Sequence, residues 1–200
     1  MYTTAIKPSL EFTVAFLLCI IFSPIMLFIA IALWFLNNRQ ILFIQQRSGR
    51  NGGIFYLLKF KTMTDFVDEG GTLLSDELRL TTFGRFLRLT SLDELPQLIN
   101  ILKGDMGLVG PRPLLPEYYS LFNAQHKLRF NVKPGLTGLA QIKGRNLLGW
   151  KERLDLDVMY VRHISLLNDV KILLMTVAIV LTGNGVNTSD GSTMPKFTGC

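Results

Sequence analysis

The sequence predicts an α+β protein that is mostly helical and membrane-associated, with short strands and an N-terminal membrane helix broken near its middle. Three observations predict this class. Residues 12–36 are almost entirely apolar, longer than the roughly 20 residues that a membrane helix requires. Short apolar runs flank a glycine-rich turn between residues 40 and 60, which is typical of a hairpin. Helical spacing of apolar residues dominates the rest of the chain.

The pair Ser23-Pro24 interrupts the apolar helix near its centre. A proline inside a helix removes one backbone donor and clashes with the preceding turn, and a serine can bond back to that turn. Each half has about 12 residues and a rise near 18 Å, too short to cross a membrane alone. Basic residues, including Lys7 and Arg39, lie on both sides, so charge does not assign the two ends to opposite faces. A kinked span and a re-entrant hairpin therefore both remain open.

Three regions follow from the composition. Residues 1–38 form the anchor, residues 39–182 form a domain with interfacial helices, and residues 183–200, rich in Gly, Ser and Thr, form a loosely ordered tail. Strands are expected at 40–44 and 54–60, and a short extended piece at 139–142. The polar stretch 64–80, which contains two adjacent glycines, indicates a mobile flap. Helices are expected at residues 93–102, 114–128, 152–163 and 170–181.

Charge and cysteine content narrow the functional classes. The net charge is +6 and the mean hydropathy is +0.32. A basic surface beside an apolar anchor suits anionic lipid head groups and phosphorylated substrates. No nucleic-acid partner is expected, because the sequence has no basic helix, zinc spacing or aromatic ribonucleoprotein motif. Cys19 and Cys200 form neither a disulfide framework nor a metal motif, which indicates a reducing compartment.

The adjacent carboxylates Asp93 and Glu94 are the strongest functional signal in the chain. A local structural explanation exists, because Ser91 and Glu94 match a helix capping box. The chemical explanation is that carboxylates sharing a site with cations suggest reactions of a phosphate. Arg88 precedes the pair, and Arg112, held between two prolines, follows it.

If the pair takes part in phosphate chemistry, each carboxylate has its own role. The cations are expected to keep Asp93 ionised, so that it can attack phosphorus and form an acyl phosphate. Glu94 can hold Mg²⁺ against phosphate oxygens. Asp155 and Asp157, by contrast, are expected to be solvated helix charges, whereas Asp169 is expected to pair with a cation.

The runs SLDELPQLINILKGDMGLVGPRPLLPEY, FIQQRSGRNGGIFYLLKFKTM and KPGLTGLAQIKGRN resemble the signature of bacterial sugar transferases, specifically the small monotopic phosphoglycosyl transferases. The apolar N-terminal segment with its Ser-Pro break resembles that family too, so the likeness covers nearly the whole chain. The run GSTMPKFTG near the C-terminus is most similar to undecaprenyl-phosphate N,N'-diacetylbacillosamine 1-phosphate transferases.

This resemblance implies an enzyme that moves a sugar 1-phosphate from a UDP-sugar to undecaprenyl phosphate and releases UMP, the first membrane step of glycoconjugate assembly. UDP-N,N'-diacetylbacillosamine or another N-acetylated sugar would be the donor, and Mg²⁺ the cofactor. Asp93 would form a covalent phosphosugar intermediate, and Glu94 would hold the metal or assist proton handling. Four cationic side chains would bind phosphate or the leaving nucleotide: Lys59, Arg88, Arg112 and Arg145.

The resemblance also implies that Ser23 and Pro24 make the helix re-entrant. The catalytic domain, 39–182, would then lie on the cytoplasmic face of the bacterial inner membrane. Its further partners would be membrane lipids and, in a homodimer, a second copy of the chain. Two other functions remain open. One is a glycosyltransferase that releases UDP, and the other is a membrane-anchored scaffold without catalysis, in which Asp93 and Glu94 are only helix caps.

Overall fold

The computed structural model describes residues 1–144, 148–182 and 196–199. A π-helical segment, Tyr2–Ile6, leads into α1 (Lys7–Leu36), and α1 runs as one helix through Pro24. Ser23 Oγ donates to the carbonyl oxygen of Ile20 at 2.8 Å, the back-bond expected beside a proline. The predicted apolar helix is confirmed, and in the structure it is not divided into two helices.

One face of α1 packs against the rest of the protein along most of its length. Ala15 lies in a core with Leu98 of a later helix, and Ile29 and Leu33 lie in a second core with Leu87. The opposite face exposes large apolar side chains, and only 11% of the most apolar window is buried. A single helix of this length and hydropathy indicates association with a membrane.

Two strands form the predicted hairpin. β1 (Leu42–Ser48) and β2 (Ile54–Phe60) pair antiparallel, with Leu42 opposite Phe60 and Ser48 opposite Ile54. The connecting turn places Asn51 and Gly52 at positive φ, where a glycine costs little. Both strands were predicted, but β1 begins two residues later than expected and extends to Ser48.

The polar stretch after β2 contains paired backbone. Isolated bridges join Met63 to Leu80 and Val67 to Leu73, and a short helix, α2 (Asp76–Arg79), lies between them. The next helix, α3 (Thr82–Leu89), is capped by Thr81, whose Oγ1 accepts from the Gly84 backbone N–H at 2.9 Å.

Glycine at position 84 is required where α3 meets the end of β2. A Cβ on Gly84 would lie 2.0 Å from the carbonyl oxygen of Thr62. The absence of a side chain at Gly84 therefore allows α3 to pack closely against the chain that follows β2.

The segment with the two carboxylates is a 3₁₀ turn, Leu92–Glu94, followed by α4 (Gln97–Lys103). Gly104 ends α4 at φ 85°, as its predicted role as a helix terminator requires. The capping-box prediction was wrong. Ser91 adopts a left-handed conformation and makes no capping bond, and the Glu94 carboxylate is bound by two cations instead.

The remaining elements surround this segment. β3 (Gly107–Val109) and β4 (Gly135–Thr137) pair in parallel. Helices α6 (Trp150–Arg162) and α7 (Leu166–Thr182) confirm two predictions. The predicted extended piece at 139–142 is a helix, α5 (Leu139–Lys143), since a short apolar run does not distinguish strand from helix.

The predicted helix at 114–128 is wrong in type. The structure has two 3₁₀ segments, Pro116–Leu121 and His126–Asn131. They supply Tyr118 and Phe130 to an aromatic core that also contains Phe197. Residue 197 belongs to the predicted loose tail, of which only residues 196–199 are described, and there Phe197 is buried.

A polar group, here called the anchor network, joins the start of α1 to α6 and α7. Lys7 Nζ lies 2.7 Å from Glu11 Oε1, 2.7 Å from Asp169 Oδ2 and 3.0 Å from the carbonyl oxygen of Val109. The Tyr160 hydroxyl donates to Asp169 Oδ1 at 2.7 Å. The cation predicted for Asp169 is therefore Lys7.

Candidate active site

Three separate elements bring their side chains to one place, here called the carboxylate site. Asp93 and Glu94 lie on the turn between α3 and α4, Lys59 extends from β2, and Arg112 lies in the loop after β3. Lys59 Nζ is 2.6 Å from Glu94 Oε1 and 3.8 Å from Asp93 Oδ2. Arg112 Nη2 is 3.0 Å from the same Glu94 oxygen. Four predicted site residues therefore meet.

Arg88 belongs to the same surroundings. It lies on the last turn of α3, and its Nε donates to Thr62 Oγ1 at 3.0 Å. Its charge is close enough to lower the pKa of Asp93. The sixth predicted residue, Arg145, lies outside the described residues.

The two carboxylates have opposite pKa shifts. Burial raises the pKa of Asp93 above its usual value, the charge of Glu94 raises it further, and Lys59, Arg88 and Arg112 oppose the change without reversing it. The expectation that the cations keep Asp93 ionised stays a prediction, and the structure adds burial as an opposing effect. Burial would also raise the pKa of Glu94, but the charges and hydrogen bonds of Lys59 and Arg112 hold it at about 2.

The two carboxylates also differ in hydrogen bonding. Glu94 accepts from both Lys59 and Arg112. Asp93 is only 7% exposed, yet it accepts no hydrogen bond from any residue that the structure describes, and Lys59, its nearest ion-pair partner there, is 3.8 Å away. A carboxylate without donors keeps its lone pairs available for reaction, and a perturbed pKa beside charged partners is typical of functional sites.

Comparison with known proteins identifies the family. The model of the family described as bacterial sugar transferase matches residues 2–183. The chain belongs to the bacterial sugar transferase family. It is 45% identical over 194 residues to a protein named uncharacterized sugar transferase EpsL, from Bacillus subtilis, and the match covers 97% of this chain and 96% of that relative.

Two further relatives have more specific names. A UDP-glucose:undecaprenyl-phosphate glucose-1-phosphate transferase from Caulobacter vibrioides is 41% identical, over 88% of this chain and 70% of the relative. An undecaprenyl-phosphate galactose phosphotransferase from Salmonella typhimurium is 35% identical, over 90% of this chain but only 41% of the relative. The chain is therefore a sugar transferase enzyme, and the scaffold alternative is not supported.

A buried ion pair in this sugar transferase was missed at the sequence level. Asp157 is 1% exposed, and its Oδ2 accepts from Arg129 Nε at 3.1 Å and Nη2 at 2.9 Å. Arg129 Nη2 also donates to the carbonyl oxygen of Arg112 at 2.6 Å. The pair thus fixes the backbone that carries Arg112. The signal was present, because Asp157 lies next to Leu154 and Val158 on the apolar face of α6.

Additional arginines give the sugar transferase an excess of positive charge around Arg112. Burial, with a contribution from the Arg112 charge, lowers the pKa of Arg47 to about 10. The buried Nε of Arg47 has no acceptor among the described residues. Burial and the Arg112 charge also lower the pKa of Arg153. Since these cations repel one another, a bound polyanion such as a diphosphate would relieve the repulsion.

The carboxylate site offers oxygen ligands of the kind that Mg²⁺ prefers. Among the described residues, no three His, Cys, Asp or Glu side chains lie together as a metal cage. Mg²⁺ is, however, commonly held by one or two carboxylates together with substrate phosphate oxygens. Asp93 and Glu94 supply such oxygens, and Glu94 is ionised near neutral pH. The residues therefore fit a magnesium ion that is shared with a phosphorylated substrate.

Proposed function

We propose that the protein is an undecaprenyl-phosphate sugar-1-phosphate transferase that begins polysaccharide or glycoconjugate assembly. In this reaction a sugar 1-phosphate passes from a UDP-sugar to undecaprenyl phosphate, and UMP is released. The names of the Caulobacter and Salmonella relatives support the reaction. The observation that carries the proposal is the buried Asp93 carboxylate, free of hydrogen bonds from described residues, beside a Glu94 bound by two cations.

Asp93 is the nucleophile in the proposed mechanism. One of its oxygens forms a bond to the sugar-proximal phosphorus of the UDP-sugar, and the bond from that phosphorus to the UMP oxygen breaks. An oxygen of undecaprenyl phosphate then forms a bond to the same phosphorus. The bond to Asp93 breaks, and the carboxylate is restored. Burial favours this route, because it keeps water from the acyl phosphate.

The cations bind and orient the phosphates in this mechanism. Arg112 is suited to bidentate contact with phosphate oxygens, and its position is fixed through the Arg129–Asp157 pair. Lys59 and Arg88, which precede Asp93 in the sequence, are proposed to bind phosphate as well. Arg145 is proposed for this role too. Glu94 would hold Mg²⁺, which when bound neutralises charge on the phosphate oxygens.

The re-entrant membrane geometry is also a proposal. Its support is that both halves of α1 pack on one domain, Ala15 in the first core and Leu33 in the second. A helix crossing a membrane perpendicular to its plane would leave such a domain at only one end. Ser23 and Pro24 lie between the two contacts and would mark the deepest point. Both ends would then face the cytoplasm at the inner membrane, where nucleotide sugars are found.

The donor sugar is proposed from the C-terminal resemblance alone. UDP-N,N'-diacetylbacillosamine or another N-acetylated UDP-sugar is the candidate, whereas the relatives described above carry glucose and galactose in their names. A panel that contains all of these donors would identify the sugar.

The test is nucleotide release by the detergent-solubilised protein with Mg²⁺ and the donor panel. Without lipid, the expected product is at most one UMP per protein molecule, together with a phosphosugar mass on the peptide that contains Asp93. Adding undecaprenyl phosphate should give continuous UMP release. Release of UDP would contradict the proposal, because it would indicate direct glycosyl transfer without a covalent intermediate.

A further inference from the structure

A cavity lies away from the carboxylates, between the end of α1 and the start of α3. It has a volume of about 480 Å³, which is within the range of small-molecule sites. Seven residues line it: Leu33, Leu36, Asn37, Thr81, Thr82, Phe83 and Phe86. We call this cavity the α1–α3 groove.

The walls of the groove are mainly apolar. Leu33 and Leu36 come from the last turn of α1, and Phe83 and Phe86 come from α3, with their rings stacked at a centroid distance of 6.3 Å. Leu36 and Phe86 are 63% and 51% exposed, so the groove is open at the surface. Such a lining is suited to a hydrocarbon.

The groove shares two of its supports with the carboxylate site. Leu33, in the floor of the groove, packs in one core with Phe60 of β2 and Leu87 of α3. The neighbouring residues in the chain are Lys59, which binds Glu94, and Arg88, whose charge acts on Asp93. The core behind Leu33 is therefore built from β2 and α3, the two elements that also carry the cations Lys59 and Arg88 of the carboxylate site.

The opposite end of the groove continues into the surface expected to contact lipid. Trp34, Phe35 and Leu36, at the end of α1, are 46%, 81% and 63% exposed. These side chains extend the exposed apolar face of α1 to the groove. A hydrocarbon chain held there would thus have one end near cations and the other among membrane lipids.

We propose that the α1–α3 groove binds the isoprene units nearest the phosphate of the polyprenyl phosphate acceptor. This inference rests on the proposed function. The anionic head group would lie at Arg88 and Lys59, and the first part of the chain would lie between Leu36 and Phe86. The groove would thereby orient the acceptor phosphate toward Asp93.

The test uses Phe86→Gln, which makes an exposed wall position polar, in the full-length protein. KM is measured for undecaprenyl phosphate, for a ten-carbon prenyl phosphate and for the UDP-sugar. The expected result is a rise of about tenfold in KM for undecaprenyl phosphate, a similar rise for the short acceptor, which has the two isoprene units nearest the phosphate, and an unchanged KM for the UDP-sugar. Phe86→Leu, which keeps the wall apolar, should stay close to wild type.

The matched control is Leu89→Gln. Leu89 is also on α3 and 40% exposed, but it does not line the groove. An equal rise in KM with this control would overturn the proposal, because it would reflect altered membrane contact. An unchanged KM of Phe86→Gln for both acceptors would also overturn it and favour a bilayer phospholipid in the groove. The UMP burst without acceptor separates the two proposals, since its absence in the wild type would contradict the proposed function and not the groove.

Discussion

The protein contains two partly buried groups in which a lysine meets two carboxylates, and they differ in how completely they are hydrogen-bonded. In the anchor network, Lys7 has three acceptors within 3.0 Å, one for each ammonium proton. Asp169 also accepts from Tyr160, and the pKa of that phenol is raised by burial and by Asp169, which keeps it a donor. In the carboxylate site, Lys59 binds Glu94 at 2.6 Å, and Asp93 is left 3.8 Å away.

This difference separates a structural role from a chemical one. A fully satisfied polar network strengthens the contact between elements and fixes one arrangement. A buried carboxylate without hydrogen bonds costs folding free energy, and such a cost is typical of a functional site. The same residue types therefore hold α1 on the domain in one place and leave a reactive oxygen in the other.

The largest expected effect is a loss of activity when Asp93, the carboxylate without hydrogen bonds, is changed. Asp93→Asn should reduce UMP formation on the order of 10³-fold or more, because an amide does not form the acyl phosphate. Its melting temperature should be unchanged or higher, since a buried charge without hydrogen bonds is removed. Activity is followed by UMP release and stability by thermal unfolding in detergent. Asp155→Asn, at a side chain 45% exposed, is the control, and a similar activity loss there would contradict the assignment of Asp93.

A change in the fully hydrogen-bonded anchor network should reduce stability and largely preserve activity. Lys7→Met leaves Glu11 and Asp169 without their cation, and breaking a buried pair costs about 3–5 kcal/mol of unfolding free energy. The melting temperature should therefore fall by several degrees, while UMP release per folded molecule is largely kept. Asp65→Asn breaks the ion pair with Lys61, in which the Asp65 side chain is 55% exposed. This change should alter the free energy of unfolding by about 1 kcal/mol or less. Equal effects of the two changes would remove the distinction between the groups.

The smallest expected effect is a shift in pH dependence. The ionised nucleophile is present only above the pKa of Asp93, which lies above the ordinary value of 3.8. The acid limb of the rate of intermediate formation should therefore lie above that pH. Glu94→Gln should move the limb to lower pH, because it removes the charge that raises the pKa of Asp93 and frees Lys59 and Arg112. A limb that moved to higher pH would contradict this account.

The two carboxylates also have opposite effects on the pH dependence of stability. The pKa of Glu94 is lowered from 4.5 to about 2. Its stabilising contribution is complete above pH 4.5 and is lost as the pH falls toward 2. The pKa of Asp93 is raised, so its ionisation destabilises the fold as the pH rises above 3.8. Chemical unfolding of the wild type and Glu94→Gln at several pH values between 2 and 6 measures the first contribution.

Patterns within short stretches of sequence predicted much of this molecule. The apolar anchor, the hairpin, α6, α7 and the end of α4 at Gly104 all follow from local composition and spacing, and the structure confirms them. Members of the carboxylate site were also predicted, because Asp93, Glu94 and Arg112 lie within 20 residues of one another. Local rules suffice where an element's own side chains determine its conformation.

Only the tertiary structure decided how charge and burial combine. Asp157 becomes an internal partner of Arg129 because α6 packs its apolar face against the 3₁₀ segment that carries Arg129. Ser91 adopts a left-handed conformation and makes no capping bond, and Glu94 is bound by Lys59 and Arg112, which lie far from it in the sequence. The pKa of Asp93 is raised chiefly by burial, and desolvation depends on what the folded chain places around a group. Residue types and their order thus determined which chemistry was available, and packing decided which carboxylate was left free to perform it.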